Sequence, residues 1–290
     1  MIHKIRVGPG SGSFGFSSGE VGAWSEDPLS ARARLVWTSA DFSPIARSFA
    51  EGAAAFVERL GLKPGESVLD VACGTGNLAI PAAKAGAKIV GSDIAPNLIA
   101  QARREARDAG VNVTFEVGDA ESLPYASGRF DTTMTMFGAM FAYRPERAAA
   151  ELLRVTRPGG RIAMANWTAE GFVGSLLRAH TAVAAPPPGV PSPLGWGAED
   201  MVRARFNGKV SALTCTRRTL TLRFALAPAA VTELFAASYG PTVTTLKAAD
   251  PAGASRLRED MTRVFKEHNE ATDGTTAVVG EYLEVIAIVG

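Results

Sequence analysis

The sequence predicts an α/β protein, a largely parallel sheet with helices on both faces. Two observations predict it. From Leu62 onward, short β-rich runs alternate with helical patterns, as in a parallel sheet covered on both sides. In addition, the apolar run Val68-Leu69-Asp70-Val71 meets the glycines Gly74 and Gly76 and starts a helix, and a second apolar run ends at Asp93. An α/β sheet builds a nucleoside pocket this way, at the carboxyl ends of its first two strands.

The elements follow in order. Residues 8–22 are rich in Gly and Ser and predict a mobile start. Apolar residues at helical spacing predict a helix over Phe42–Leu60. Strands are expected at Ser67–Val71, Lys88–Ser92, Asn112–Val117, Phe130–Met136 and Arg161–Asn166. Between them, Leu78–Ala85, Pro96–Asp108 and Glu146–Thr156 read as helices, with Pro96 at a first-turn position and Gly110 as a stop. Gly159-Gly160 after Pro158 is a turn feeding the fifth strand. Beyond Asn166 the alternation weakens. A helix over Phe172–Ala182 runs into the prolines 186–188, 191 and 193, a stiff loop, and Val210–Phe224 alternates like a long strand. Helices near Ala229–Tyr239 and Ala254–His268 precede a last strand at Tyr282–Ile288.

Composition narrows the function. The chain has 290 residues, 47% of them hydrophobic and 20% charged, and a formal net charge of +1. Near-neutral charge argues against nucleic acid or an anionic membrane as partner, since either calls for a basic face. Arg103-Arg104 and Arg217-Arg218 are isolated pairs on solvated faces. Two distant cysteines, Cys73 and Cys215, make neither a disulfide framework nor a zinc set, which points to a reducing cytoplasm. No apolar run nears the roughly 18 residues of a membrane-spanning helix.

The chemistry lies in the glycine loop. Gly74-x-Gly76-x-x-Ala79 with Asp93 also satisfies the dinucleotide fingerprint, so the glycines alone fit two cofactors. Asp70 separates them. A carboxylate there repels a pyrophosphate and attracts a ligand bearing an ammonium and a sulfonium, such as S-adenosylmethionine (SAM). Asp93 can accept both ribose hydroxyls, and Gly74 and Gly76 let the backbone approach the ligand. After the third strand, Gly118-Asp119-Ala120 offers an acid for an adenine amino group and an N–H for a ring nitrogen; Asp119 can equally cap a short helix over Ala120–Leu123.

Asp70 to Asn77, Asp93, Gly118-Asp119-Ala120 and Arg157-Pro158-Gly159-Gly160 resemble the ordered motifs of class I SAM-dependent methyltransferases, closest to the group around ubiquinone and menaquinone biosynthesis. The resemblance implies a Rossmann-like sheet of seven strands, with Val210–Phe224 and Tyr282–Ile288 as an antiparallel sixth and seventh. It further implies SAM as cofactor, S-adenosylhomocysteine as product and no metal. Asp70, Ala72, Gly74, Gly76, Asn77, Asp93, Ile94, Asn97, Gly118, Asp119, Ala120 and Met136 would then hold the donor, with Ile94 against the adenine. The expected organisation is a mobile segment at 1–36, a donor-binding core at 37–167, a substrate-capping lid at 168–277 that includes the sixth strand, and the last strand at 278–290.

The fourth strand should end at the reaction centre. Met134 to Phe141 lack the Asn/Asp-Pro-Pro-Tyr/Phe pattern used on nucleic-acid amines and suggest an apolar wall. Trp37, Phe137, Phe141, Trp167 and Tyr239 are the candidate acceptor pocket, with Trp196 a further aromatic. Transfer from a sulfonium is an in-line displacement that alignment and desolvation can drive, so a base is optional. Of three histidines, His3 lies in the mobile start, His268 in a charged helix, and His180 near the expected cap, which makes His180 the candidate base. The reading is SAM-dependent O- or C-methylation of a small apolar or aromatic acceptor by a cytoplasmic monomer or homodimer. An NAD(P)-dependent oxidoreductase and a SAM-binding module without catalysis remain as alternatives.

Overall fold

A computed structural model describes residues 27–290. In chain order the elements are α1 (Pro28–Thr38), α2 (Ser43–Ser48), α3 (Ala50–Leu60), β1 (Ser67–Val71), α4 (Ala79–Lys84), β2 (Lys88–Asp93), α5 (Pro96–Asp108), β3 (Thr114–Val117), β4 (Phe130–Met136), α6 (Pro145–Val155), β5 (Thr156–Trp167), α7 (Gly171–Val183), α8 (Glu199–Phe206), β6 (Val210–Phe224), α9 (Pro228–Ser238), α10 (Gly240–Ala248), α11 (Pro251–Glu267) and β7 (Thr276–Val289). Short 3-10 turns lie at Ala139–Phe141 and Pro193–Gly197.

The seven strands form one sheet in the order β3-β2-β1-β4-β5-β7-β6. Strands β1 to β5 pair in parallel; β7 runs antiparallel to β5, and β6 antiparallel to β7. This is the Rossmann-like sheet of seven that the motifs imply. The chain winds outward from β1 to β3, then crosses back to β4 and winds the other way. A crevice therefore opens beyond the carboxyl ends of β1 and β4, and ligands of such sheets bind there. In register, Asp70 of β1 stands beside Gly91 and Met134, so its carboxyl lies at that crevice by topology alone.

The central strands are buried on both faces, as crossover helices require. Val68, Leu69, Met134, Ile162, Ala163 and Met164 are all buried, and α3, α5 and α6 bury Phe56, Ile99 and Leu152 against them. Each such Leu, Ile or Phe contributes about 1.5–3 kcal/mol by leaving water. At the foot of the sheet, Asp131 ties the start of β5 to β1: it accepts from the Arg157 guanidinium at 2.6 Å and from the Ser67 N–H at 2.8 Å.

Several expectations need correction. The mobile start does not extend to residue 36: Asp27 accepts from the Leu29 N–H and Pro28 fits the first turn, so α1 is a capped helix. The earlier part of that expectation, with His3, lies outside the described residues. The single helix over Phe42–Leu60 is two, broken at Phe49 (φ −124°, ψ 18°). Strands β5 and β7 start earlier than expected, and α8 and α10 were not expected. Helices α7, α9 and α11 pack on one another through Phe172, Phe235 and Phe265, with Phe224 of β6 beneath them. His268 closes α11 half-buried against Phe172, not in solvent.

Candidate active site

At the end of β1 the backbone leaves the strand abruptly: Ala72 and Gly74 have φ of 55° and 53°, and Gly76 has 93°. The turn brings two carboxyls into one pocket. Asp70 is 1% exposed, and its Oδ2 has no hydrogen-bond partner. Asp93, 6% exposed, accepts the Gly74 N–H on Oδ2 at 2.8 Å and the Ala95 N–H on Oδ1 at 2.9 Å. An ionised carboxylate accepts about four hydrogen bonds, so Asp93 keeps capacity for a ligand's donor. Burial raises Asp93 to about 6, held from rising further by the backbone N–H groups of Ala95, Gly74 and Ile94. Burial, reinforced by the charge of Asp93, raises Asp70 well above the usual carboxylate range. Two buried acids with an orphaned oxygen between water and core are costly alone and suited to a cation.

The same pocket is lined by Ala72, Asn77, Ile94, Gly118, Asp119, Ala120 and Met136, together with Asp70, Gly74 and Asp93. Ten of the twelve residues expected around the donor thus share one cavity. Asn77 also fastens α2, donating to the Ala46 carbonyl at 2.8 Å. Asp119 accepts the Glu121 N–H at 2.9 Å and closes a turn, not a helix. The other two lie elsewhere. Gly76 backs onto Ile80 and Phe115, where a Cβ would sit 3.3 Å from each, and Asn97 donates to the Ala40 carbonyl at 3.1 Å. The hydrogen bond to Ala40 turns the Asn97 side chain aside, and at Gly76 the Cα faces Ile80 and Phe115, neither of which spacing encodes.

Beside this pocket is an apolar chamber. Trp37, Phe137, Phe141, Trp167 and Tyr239, expected to line an acceptor site, all line it. Phe137 stacks on Trp167 with centroids 3.5 Å apart and planes 8° from parallel. Trp37 meets Phe141 edge-on at 5.3 Å and Tyr239 at 6.0 Å. Phe42, Phe49, Phe172 and Phe235 complete the wall and were missed. Phe42 and Phe49 lie on the stretch expected to be one helix over Phe42–Leu60, whose spacing does not single them out as chamber residues. Trp37, Phe42, Phe49, Phe137 and Phe141 line donor pocket and chamber alike, so the two cavities share an aromatic partition. Trp196 belongs to neither: it is buried under the guanidinium of Arg205, 4.5 Å away.

His180 is not brought to either cavity. Its Nδ1 lies 2.8 Å from the Leu176 carbonyl and its Nε2 2.7 Å from Thr242 Oγ1. A carbonyl only accepts, so Nδ1 carries the proton and Nε2 accepts from Thr242. Burial lowers its pKa, and its two hydrogen bonds make it a bolt between α7 and α10. Tyr239 is the one ionisable side chain on the chamber wall among the described residues, and burial raises its pKa. No group of acidic, His or Cys side chains able to hold a metal occurs among the described residues.

Comparison with known proteins follows the same lines. A family model described as a methyltransferase domain matches residues 68–160, from β1 into β5. An uncharacterised protein of Mycobacterium bovis is 36% identical over 241 residues, covering 81% of this chain and 87% of its own length. The demethylmenaquinone methyltransferase of Renibacterium salmoninarum is 38% identical over 116 residues, 40% of this chain and 47% of that enzyme. Among solved structures, the YcgJ protein of Bacillus subtilis aligns with TM-score 0.56 at 17% identity, covering 82% of this chain and 98% of its own.

Proposed function

This chain belongs to the SAM-dependent methyltransferases, and we propose that it methylates a small apolar or aromatic acceptor, at oxygen or carbon, by in-line displacement. The observation that carries the acceptor class is the aromatic chamber set against the donor pocket across a shared wall. The residues present fit the donor. Asp70 and Asp93 offer buried carboxyl acceptors, and Gly118 to Ala120 with Ile94 line the same pocket and would hold the adenine. When bound, the sulfonium supplies a methyl group to a nucleophile approaching from the opposite side.

The chain's own residues then supply three things. Asp70, with its unpartnered Oδ2, holds positive charge at the β1 end. Phe137 and Phe141, on the tip of β4, present an apolar surface between donor and acceptor, and Phe49, Trp37 and Trp167 keep water from it. Alignment in a dry cleft is a recognised source of rate acceleration, and it demands no side-chain base. An acceptor that ionises readily, such as a phenol or a reduced quinone ring, suits that chemistry. The partly aligned relative whose name specifies demethylmenaquinone supports a ring of this kind, although the match spans less than half of it. A cytoplasmic setting fits the two free thiols of Cys73 and Cys215, and a small molecule fits the chamber better than nucleic acid.

The test is turnover on a panel of phenols, quinols, amines and carboxylates, read by mass spectrometry. Methylated phenol or quinol with an equal yield of S-adenosylhomocysteine is expected. Turnover confined to amines or carboxylates contradicts the acceptor class. Binding of the donor with no turnover of any member would favour a SAM-binding module.

A further inference from the structure

We propose that α1 is a hinged cover over the donor pocket and that Arg144 is the positioning residue that latches it. The inference rests on the reading of that pocket as the donor site. Ser30, Ala33 and Trp37 of α1 line the pocket, yet no residue of α1 is fully buried. An element with so little apolar burial opens at low free energy unless other contacts hold it.

Those contacts differ at its two ends. At the carboxyl end α1 is seated closely. A Cβ on Gly240 would lie 2.2 Å from the Val36 carbonyl oxygen, and Trp37 is gripped by Phe42, Phe141 and Tyr239. Just beyond, Asn97 donates to the Ala40 carbonyl. At the amino end the described polar links to the rest of the molecule converge on Arg144, at the start of α6. Its guanidinium pairs with Asp27, reaches Ser30 Oγ at 3.4 Å, and pairs with Glu121 through Nε. Glu121, outside α1, also lines the pocket, and its Oε1 accepts the Arg144 N–H at 2.8 Å. One side chain thus ties α1 to a second pocket-lining residue, while the seated end acts as the pivot. The planar, multi-donor guanidinium can bridge two carboxylates at once, which an ammonium does poorly.

The consequence is kinetic. Arg144 sets how fast the donor and its product leave, without touching either. The measurement is the dissociation rate of S-adenosylhomocysteine from the immobilised full chain, by surface plasmon resonance. Removing these charge-assisted bonds in Arg144→Gln should speed release by about tenfold, with Arg144→Lys in between. Because the latch is partly exposed, wild-type release should quicken from about 50 mM to about 500 mM salt, and that dependence should flatten in Arg144→Gln. Arg203→Gln, which breaks an exposed pair with Glu199 on α8, should match wild type. If Arg144→Gln does not fold, Asp27→Asn serves, because it keeps the cap and removes the charge. A folded Arg144→Gln or Asp27→Asn with wild-type release and wild-type salt dependence overturns the latch. Failure of the wild-type chain to bind S-adenosylhomocysteine at all overturns the donor site instead.

Discussion

Asp93 is the residue whose titration reports the site. In the ligand-free protein it binds its proton more tightly than an unfolded carboxyl does, since its value is about 6. It therefore stabilises the fold below the ordinary carboxylate range, and that contribution is lost as the pH rises through about 6. Donor binding has the opposite sign: the ribose hydroxyls need the ionised acceptor. Affinity for SAM should fall as the pH drops below about 6, by up to tenfold per unit for one proton taken up. Isothermal titrations at several pH values check this, and in Asp93→Asn the slope should become shallower, leaving the part that belongs to Asp70. Single residues were legible where their role follows from strand ends. Asp70, Asp93 and the acid after β3 all stand where the sheet must place them. Asn97 and His180 were misplaced because the partner of a side chain, the Ala40 carbonyl or Thr242, is set by packing that spacing does not show.

At the scale of elements, the β4 tip crosses the β1 loop with nothing to spare. Gly138 lies where a Cβ would meet the Ala72 carbonyl oxygen at 2.5 Å and the Ala72 Cβ at 2.7 Å. On either side of the crossing, Ala72 and Phe137 hold positive φ, the two non-glycine residues to do so among those described. Such strain persists where surrounding structure enforces it, and it clusters at binding sites. Gly138→Ala should cost about 1–3 kcal/mol by overpacking, seen as a lower midpoint in thermal denaturation. It should also weaken donor binding, since Ala72 and Gly138 both line the pocket. An unchanged midpoint and affinity would remove the crossing from the account. Strands with one dominant pattern were read well: β1, β4 and β6 have the expected bounds. Helix α10 was not, because Gly240-Pro241 looks like an end and serves here as a beginning. The break at Phe49 was hidden because both halves keep helical spacing.

For the whole molecule, the Asp70–Asp93 pocket and the aromatic chamber differ in how they are assembled. The donor pocket comes chiefly from consecutive strand ends between residues 70 and 139, so a local pattern announces it. The chamber draws Trp37 from α1, Phe42 from beside α2, Phe137 and Phe141 from beyond β4, Trp167 from β5, and Phe172, Phe235 and Tyr239 from the distal helices. No spacing rule links residues so far apart, which is why five of its aromatics were named together while Phe42, Phe49, Phe172 and Phe235 were not. A donor that binds only the folded chain should raise its stability by about 2.7 kcal/mol at a hundredfold excess over the dissociation constant. Thermal melts with and without SAM should show that shift, and melts with NAD should not. The most direct test of the central claim, that the Asp70–Asp93 pocket holds a sulfonium nucleoside, is calorimetric titration of the wild-type chain and Asp93→Ala. Micromolar binding of SAM and S-adenosylhomocysteine is predicted, with no heat from NAD and a loss of about 1.5–3 kcal/mol in Asp93→Ala. Binding of NAD in their place, or an affinity unchanged by Asp93→Ala, would contradict it.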